Sequence, residues 1–394
     1  MQRAFFRSLR SVTGVTPLLL PGSTTICCCR TALLRRRSCG RRWYRFDGSR
    51  ESQKPSCHIL WAVGYWALFK DYIGWQEIKL DDDPFANGLK RSWLFRRQKR
   101  FQEAADVLHD MIAFCEQRRN EMALTRVYDE LANTYLEMER LEEAEKLFKS
   151  VLSRLVQLHQ LADDSMEFIS ASLKLAIILA KKKEFKNAEL GFKHCLNAQA
   201  AVIADKLPDL RPIRGRYADV NMASGENIAR TRDYFDNLSL YGMICEEYAH
   251  FLLDNGGETR LSDAESAINK SLEMCSLVYG SSHPQTITVM NNFATQCLFL
   301  NRFALAERLL KTVVERATQV PELRDQLPGY VTNFAEALFH NGNTEEALRV
   351  VEYAVRLSNS ACDDPNIRKH VKSFAEDMRK KKKNDGTKSW WAFW

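Results

Sequence analysis

The sequence predicts an all-α protein, a solenoid built from about six helix pairs. Three observations support this: helical periodicity dominates from residue 90 onward, long strand-like alternation is absent, and alanines twelve positions apart recur in the same apolar frame. Two antiparallel helices approach closely only where a small side chain lies at the crossing, while larger residues one turn away fill the sides. The recurring alanines therefore predict stacked helix pairs.

Four copies of the frame are complete, each with an apolar residue and an alanine in the first helix and a second alanine twelve residues later. The first helices contain Leu131-Ala132, Leu175-Ala176, Phe293-Ala294 and Phe334-Ala335, and the second alanines are Ala144, Ala188, Ala306 and Ala347. Two degenerate copies contain Ala249 with Ala264, and Ala104 after a weak first helix. The Pro-, Gly- and Arg-containing segment 206–227 is expected to be an inserted loop rather than a seventh repeat.

Positive charge is concentrated at the amino terminus. Residues 1–50 contain eleven arginines, no lysine and one acid, so this segment carries +10 and the other 344 residues together carry −3. The slightly acidic body argues against nucleic acid as a partner. An Arg-rich, acid-poor amino terminus is typical of a mitochondrial transit peptide, which we place at residues 1–55. A disordered basic arm is the alternative.

An apolar segment follows the leader, "CHILWAVGYWALFKDYIGW" at residues 57–75. It is a candidate membrane anchor, because its five Trp and Tyr residues are of the types favoured at membrane interfaces. A buried helix packing on the next domain is the alternative. Residues 76–89 are predicted to be a linker, 90–380 the repeat domain and 381–394 a basic, aromatic tail. This tail could dock on an anionic membrane or remain disordered.

The stretch "HPQTITVMNNFATQCLFLNRFALAERL", residues 283–309, contains residue types found in hydrolase sites. Cys297 occupies the apolar position that faces the partner helix, and His283 precedes a proline that favours a helix start. Neither is expected to be catalytic. Among the six cysteines from Cys115 to Cys362 there is no C-x-x-C spacing and no histidine at ligand spacing, so neither a metal site nor a cofactor is predicted.

Polar residues immediately before the apolar-alanine pair are candidates for a peptide-binding groove. Asn292 and Asn333 precede Phe293 and Phe334, and the equivalent positions in other repeats hold Glu130, Lys174 and Glu247. An amide on this face could donate to and accept from the backbone of an extended peptide. The alternative is a polar residue on a solvated face.

These frames resemble the tetratricopeptide repeat family, and within it mitochondrial members with long repeats. The resemblance rests on "LKRSWLF" with "EAADVLHDMI" at 89–112, "LANTYLEMERLEEAEKLFK" at 131–149 and "GSSHPQTITVMNNFATQCLFLNRFALAE" at 280–307. It implies a non-enzymatic protein of the mitochondrial inner membrane, with its repeats facing the matrix. It also implies contact with inner-membrane lipid and binding to respiratory complex III subunits, in support of assembly or maintenance around the Rieske iron-sulfur protein.

Two other functions remain open. Kinesin light chains carry a similar "HP" and "NNLA" arrangement, so a cytosolic peptide-binding cargo adaptor is the runner-up, although the basic leader opposes it. An enzyme, most simply a protease, would need a nucleophile, a base and an orienting group. The sequence contains no G-x-S-x-G, no H-E-x-x-H and no Gly-rich phosphate loop.

Overall fold

Helices make up the regular structure throughout the part of the chain that the structure describes. The computed structural model describes the backbone of residues 83–206, 225–360 and 362–391, with side chains for 83–205, 234–360 and 362–380. Within these ranges there are thirteen α-helices, two short 3-10 turns and no β-strand, which confirms the predicted fold class. The described residues all belong to one compact unit.

The helices are numbered here in chain order. They are α1 Pro84–Arg97, α2 Phe101–Gln117, α3 Glu121–Glu137, α4 Leu141–Gln157, α5 Met166–Lys181, α6 Phe185–Lys206, α7 Gly225–Asn255, α8 Leu261–Val278, α9 Pro284–Phe299, α10 Phe303–Ala317, α11 Leu327–His340, α12 Thr344–Ser360 and α13 Pro365–Trp391. Each odd-numbered helix up to α11 packs against the following even-numbered helix, and α13 closes the stack against α12 and α11. The result is six helix pairs and a terminal helix.

The odd-numbered helices form the inner layer of this stack. Some helices also contact the helix two places further along the chain. The most extensive of these contacts are between odd-numbered helices, such as α1 with α3, α7 with α9 and α9 with α11. Helices on the inside of a curved stack come closer together than those on the outside. The even-numbered helices form the outer layer, and α4, for example, buries one face and exposes the other.

The alanines of the repeat frame are buried within the packed helix pairs, as the predicted close crossings require. Ala132, Ala176, Ala294 and Ala335 in the first helices, and their partners in the second helices, have no exposed surface. Large residues fill the space beside them, and Phe148, Phe192 and Phe293 are almost fully buried. Each such ring contributes roughly 2 to 3 kcal/mol of transfer free energy, so the crossings and their flanks account for much of the core.

The turns between paired helices use the left-handed backbone region. Gly342 ends the turn after α11 with φ +90°, as the Asn341-Gly342 sequence predicts, but most equivalent turns place a lysine, glutamate or asparagine there. Lys99, Glu139, Lys183 and Asn301 all have φ between +60° and +68°. Residues with a side chain are strained in this region, so these turns are held by the packing of the helices around them.

The predicted linker 76–89 is wrong at its carboxyl end, because α1 begins at Pro84. Asp83 is its N-cap and accepts from the amide of Phe85 at 2.9 Å, and proline at the first helical position is pre-set for a helix. Gly88 lies where α2 crosses, and a side chain there would collide with Met111. Gly88, which is compatible with a linker in the sequence, therefore allows α1 and α2 to pack closely.

Other predicted boundaries differ from the structure or lie outside it. Helix α7 starts at Gly225, so the last residues of the predicted insertion 206–227 are helical, while 207–224 lie outside the described residues. Helix α13 continues to Trp391, into the segment predicted as a separate tail. The transit peptide 1–55 and the candidate anchor 57–75 also lie outside the described residues. None of the described helices combines the length and apolar composition needed to span a bilayer.

Candidate functional site: the inner helical face

The inner helices are buried around most of their circumference. Residues 127–136 of α3, 171–179 of α5 and 285–291 of α9 are continuously buried. A helix buried on all sides would ordinarily be apolar throughout. These helices instead carry amides, carboxylates and a lysine among their buried residues, and this polar inner face is the candidate site.

In the first two repeats the polar face is an ion-pair cluster around Arg96. Its Nη1 donates to Glu130 Oε2 at 2.7 Å, and its Nη2 donates to Glu137 Oε1 at 2.5 Å. Burial raises the pKa of Glu130, and the positive charge of Arg96 opposes that rise. Glu130, a predicted groove residue, therefore lies on the inner layer with its carboxylate already engaged by α1.

Asp129 and Lys174 extend this cluster towards the third repeat. Asp129 is 6% exposed and accepts from Asn133 Nδ2 at 3.2 Å. Burial, reinforced by the negative charge of Glu130, raises the pKa of Asp129 to about 7, while the charge of Lys174 opposes the rise. Lys174, the second predicted groove residue, is 3% exposed. Asp129 therefore lies close enough to both Glu130 and Lys174 for their charges to affect its pKa.

The other two predicted residues lie in the fifth and sixth repeats. Asn333 on α11 is half-buried and donates to Asn291 Oδ1 at 3.2 Å and to Thr295 Oγ1 at 3.3 Å, both on α9. Asn292 is also half-buried, but the residue that meets Asn333 is its neighbour Asn291. The amides therefore form a link between the inner helices α9 and α11.

A fourth polar group, which the sequence did not predict, joins α7 to α9. Gln296 on α9 hydrogen-bonds His250 and donates to Asp254, both on α7. Glu246, one turn before His250, is 7% exposed, and burial raises its pKa. The predicted position in this repeat, Glu247, is half-buried.

A register rule connects these groups and could have located them. In four repeats a buried polar residue lies two positions before the apolar-alanine pair, whereas the sequence analysis selected the position immediately before it. These residues are Asp129, Glu246, Asn291 and Thr332. The third repeat has Leu173 at that place and the buried Lys174 at the next. A polar residue that recurs at a position where the helix is otherwise apolar is the signal that would have identified them.

Cys297 and His283, the reactive residue types of the 283–309 stretch, have structural roles. Cys297 has no exposed surface, and burial raises the pKa of its thiol to about 12, which disfavours the nucleophilic thiolate. His283 is the N-cap of α9, and its Nδ1 accepts from the amide of Gln285 at 3.1 Å. Among the described residues no group of histidine, cysteine, aspartate and glutamate side chains has the arrangement of a metal site.

Family models and curated relatives match the repeat region. Tetratricopeptide repeat models match residues 124–164 and 258–319. Over 295 residues the chain is 27% identical to the mitochondrial tetratricopeptide repeat protein 19 of Homo sapiens, covering 74% of this chain and 71% of that protein. The Mus musculus protein is 28% identical over 71% of each chain, and the Drosophila melanogaster homologue is 23% identical over 62% of this chain and 58% of its own.

Solved structures with a similar helical arrangement are more distant. A putative kinesin light chain from Podosopora anserina with tetratricopeptide-like repeats is 16% identical, with a TM-score of 0.42 over 59% of this chain and 93% of that chain. The assembly chaperone of RpL4 is 13% identical, with a TM-score of 0.44 over 78% of this chain and 99% of that chain. The buried alanine frame, the repeat models and the curated relatives agree: two stretches of the chain match tetratricopeptide repeat models, and the chain is similar over most of its length to mitochondrial tetratricopeptide repeat protein 19.

Proposed function

We propose that this protein is a non-enzymatic scaffold of the mitochondrial inner membrane that holds a segment of respiratory complex III. In this role it supports the assembly or maintenance of the complex around the Rieske iron-sulfur protein, with its repeats facing the matrix. The compartment is supported by the Arg-rich amino terminus and by the word "mitochondrial" in the names of its relatives. The choice of complex III rests on the family resemblance described above.

The observation that carries the scaffold function is the polar inner face. Burying an amide or carboxylate costs roughly 1 to 3 kcal/mol unless its hydrogen bonds are replaced. Asp129, Lys174, Glu246 and Asn291 are all at least nine-tenths buried at positions where an apolar residue would pack at lower cost. These buried groups fix the inner helices to one another, while Asn292 and Asn333 on the same helices keep some exposed surface with which to hydrogen-bond the backbone of a partner.

An enzymatic function receives no support from the residues that would have to perform it. Cys195 and Cys245 are buried and Cys275 is half-buried, and the thiols of all three, like that of Cys297, have pKa values raised to about 12 by desolvation. Nucleophilic cysteines require the opposite shift. Replacement of Cys297 by alanine is therefore expected to leave any clearance of Rieske fragments unchanged in a folded protein.

The test of this function uses mitochondria from cells that lack the protein. We expect a selective loss of quinol-to-cytochrome c electron transfer, restored by the wild-type chain but not by Asn292→Ala with Asn333→Ala. The matched control is Asn187→Ala, which removes an exposed amide from the outer helix α6. Normal electron transfer and normal Rieske incorporation without the protein would contradict the proposal.

Location and anchoring need a separate measurement. Carbonate extraction followed by protease protection on mitoplasts should leave the chain in the membrane fraction, with residues 90–380 protected. Release by carbonate would contradict an embedded 57–75 segment. A diffuse cytosolic location would instead favour the kinesin-light-chain-like adaptor.

A further inference from the structure

Helix α1 has an unusual charge for the edge of a repeat stack. Residues 84–97 contain four basic residues and no acidic ones. Terminal repeats commonly carry a polar outer face for solubility, but mixed charges would serve that purpose. A helix with only positive charges at one end of a body that is slightly acidic points to a negatively charged partner.

The packing of α1 determines which of its residues face outward. Arg96 is 6% exposed and is held against α3 by Glu130 and Glu137. At about 100° per residue, Leu94 projects roughly 160° away from Arg96, on the opposite side of the helix. Leu94 is correspondingly 39% exposed.

Two arginines flank this leucine on the outer side. Arg91 and Arg97 are both exposed, and neither makes an ion pair within the described residues. The acidic residues that flank α1 in the chain are engaged or distant: Glu103 pairs with Arg100, and Asp83 caps the other end of the helix, roughly 12 Å of helix rise from Arg91. The outer side of α1 therefore presents a leucine between two unpaired guanidinium groups, which we call the α1 outer face.

The position of α1 in the chain places this face near the candidate anchor. The apolar segment ends at Trp75 and α1 is capped by Asp83, so seven residues connect them. A fully extended connection of this length spans at most about 30 Å. If the apolar segment is in the membrane, α1 lies within that distance of the head groups.

We propose that the α1 outer face docks on an anionic phospholipid surface. Arg91 and Arg97 bind lipid phosphates through their guanidinium groups, and Leu94 enters the boundary between head groups and acyl chains. The contact orients the repeat stack against the membrane at its amino-terminal edge. This inference goes beyond the proposed scaffold function, and it relies on the predicted anchor only for proximity.

The experiment uses the full chain reconstituted into vesicles, with the photo-crosslinking residue benzoyl-phenylalanine in place of Leu94. Vesicles of phosphatidylcholine alone are compared with vesicles that also contain phosphatidylglycerol, and the amount of lipid attached to the protein is measured after illumination. The matched control places the same residue at Tyr353, which is 38% exposed on the outer helix α12. We expect strong attachment at position 94, weak attachment at 353, and a marked increase at 94 only with the anionic lipid.

Charge reversal separates electrostatic docking from simple proximity. Arg91→Glu with Arg97→Glu should reduce attachment at position 94 roughly ten-fold, because an anionic surface repels the new charges. Lys311→Glu, an exposed change on α10, should leave it unchanged. Equal attachment on neutral vesicles, attachment no greater than at position 353, insensitivity to charge reversal, or crosslinks only within the protein would each overturn the proposal. Carbonate extraction tests the anchor separately. A negative crosslinking result at position 94 would therefore leave the proposed anchor and scaffold function intact, and release by carbonate would leave the docking of α1 to be judged by crosslinking.

Discussion

Lys182 Nζ donates to Glu145 Oε2 at 2.6 Å, and this bond joins the turn between α5 and α6 to helix α4 of the preceding repeat. The same relationship recurs at two later junctions: a donor in the turn between the two helices of one repeat meets a glutamate near the start of the second helix of the repeat before it. These pairs are Arg260–Glu189 and Asn341–Glu307. At a further junction Arg302 meets Glu258, which lies in the short 3-10 turn just before α8. All four contacts link neighbouring repeats.

Replacing Lys182 with methionine tests the contribution of one such junction. Lys182 is only 20% exposed and Glu145 only 11%, so the bond is partly shielded from solvent. Burial alone would raise the pKa of Glu145, but hydrogen bonds from Lys149 and Lys182 lower it overall. We expect a loss of about 1 kcal/mol in the free energy of unfolding, measured by urea denaturation.

The control for this junction is Lys311→Met, which removes an exposed lysine from α10 and should have little effect. Hydrogen exchange should show lower protection in α4 and α5 of the Lys182 variant, because the contact joins these two repeats. Unchanged protection there would contradict a role in coupling the repeats.

Asp129 makes stability depend on pH. Burial raises its pKa to about 7, above the value near 3.9 of an unfolded aspartate. The folded state therefore binds this proton more tightly, so its contribution to stability is full below about pH 4, decreases as pH rises, and is lost above about pH 7. The slope is at most about 1.4 kcal/mol per pH unit.

Asp129→Asn should flatten this part of the profile. The free energy of unfolding, measured from pH 4 to pH 8, should decrease less steeply in the variant than in the wild-type chain. Asp110→Asn changes an exposed aspartate of α2 and should preserve the wild-type slope. Parallel profiles for wild type and Asp129→Asn would show that Asp129 is ionised when buried.

His283 gives a pH effect of opposite direction at the start of α9. Burial lowers its pKa below the usual 6.5, so protonation favours the unfolded state and stability is lost as pH falls through this range. A protonated ring also cannot accept from the Gln285 amide. His283→Asn should keep the cap and reduce the loss between pH 7 and pH 5, while His283→Ala should cost about 1 kcal/mol near pH 7 and less at lower pH, where the protonated wild-type ring no longer caps the helix. Thermal unfolding at several pH values distinguishes these outcomes.

Lys183 offers a stabilising substitution. It lies in the left-handed region with φ +68° in the turn between α5 and α6. Glycine adopts this conformation without strain, so Lys183→Gly should raise the free energy of unfolding by about 1 kcal/mol. Lys146→Gly, at an exposed position inside α4, should lower it by a similar amount because glycine is a poor helix former. If both substitutions destabilise the protein, the turn does not carry the expected strain.

The helix pairs could be predicted from the sequence because their main constraint is local. A crossing requires a small residue at a set distance along each helix, and the pairs Ala132 with Ala144 and Ala294 with Ala306 satisfy it within a single repeat. The N-cap of α9 was also predictable, since His283 and Pro284 are adjacent in the chain. The start of α1 was missed because the residues around Gly88 resemble a loop unless the crossing of α2 is known.

What the sequence determined by itself, then, is the repeat unit: its helices, its crossings and the layer in which the polar face lies. The tertiary structure decided how the units meet, including the Lys182–Glu145 contact and the choice of Asn291 rather than Asn292 as the partner of Asn333. It also decided that Asp129 is buried beside Glu130 and so has a raised pKa. These features depend on distances between residues about one repeat apart, and those distances are set by the angle at which successive repeats stack.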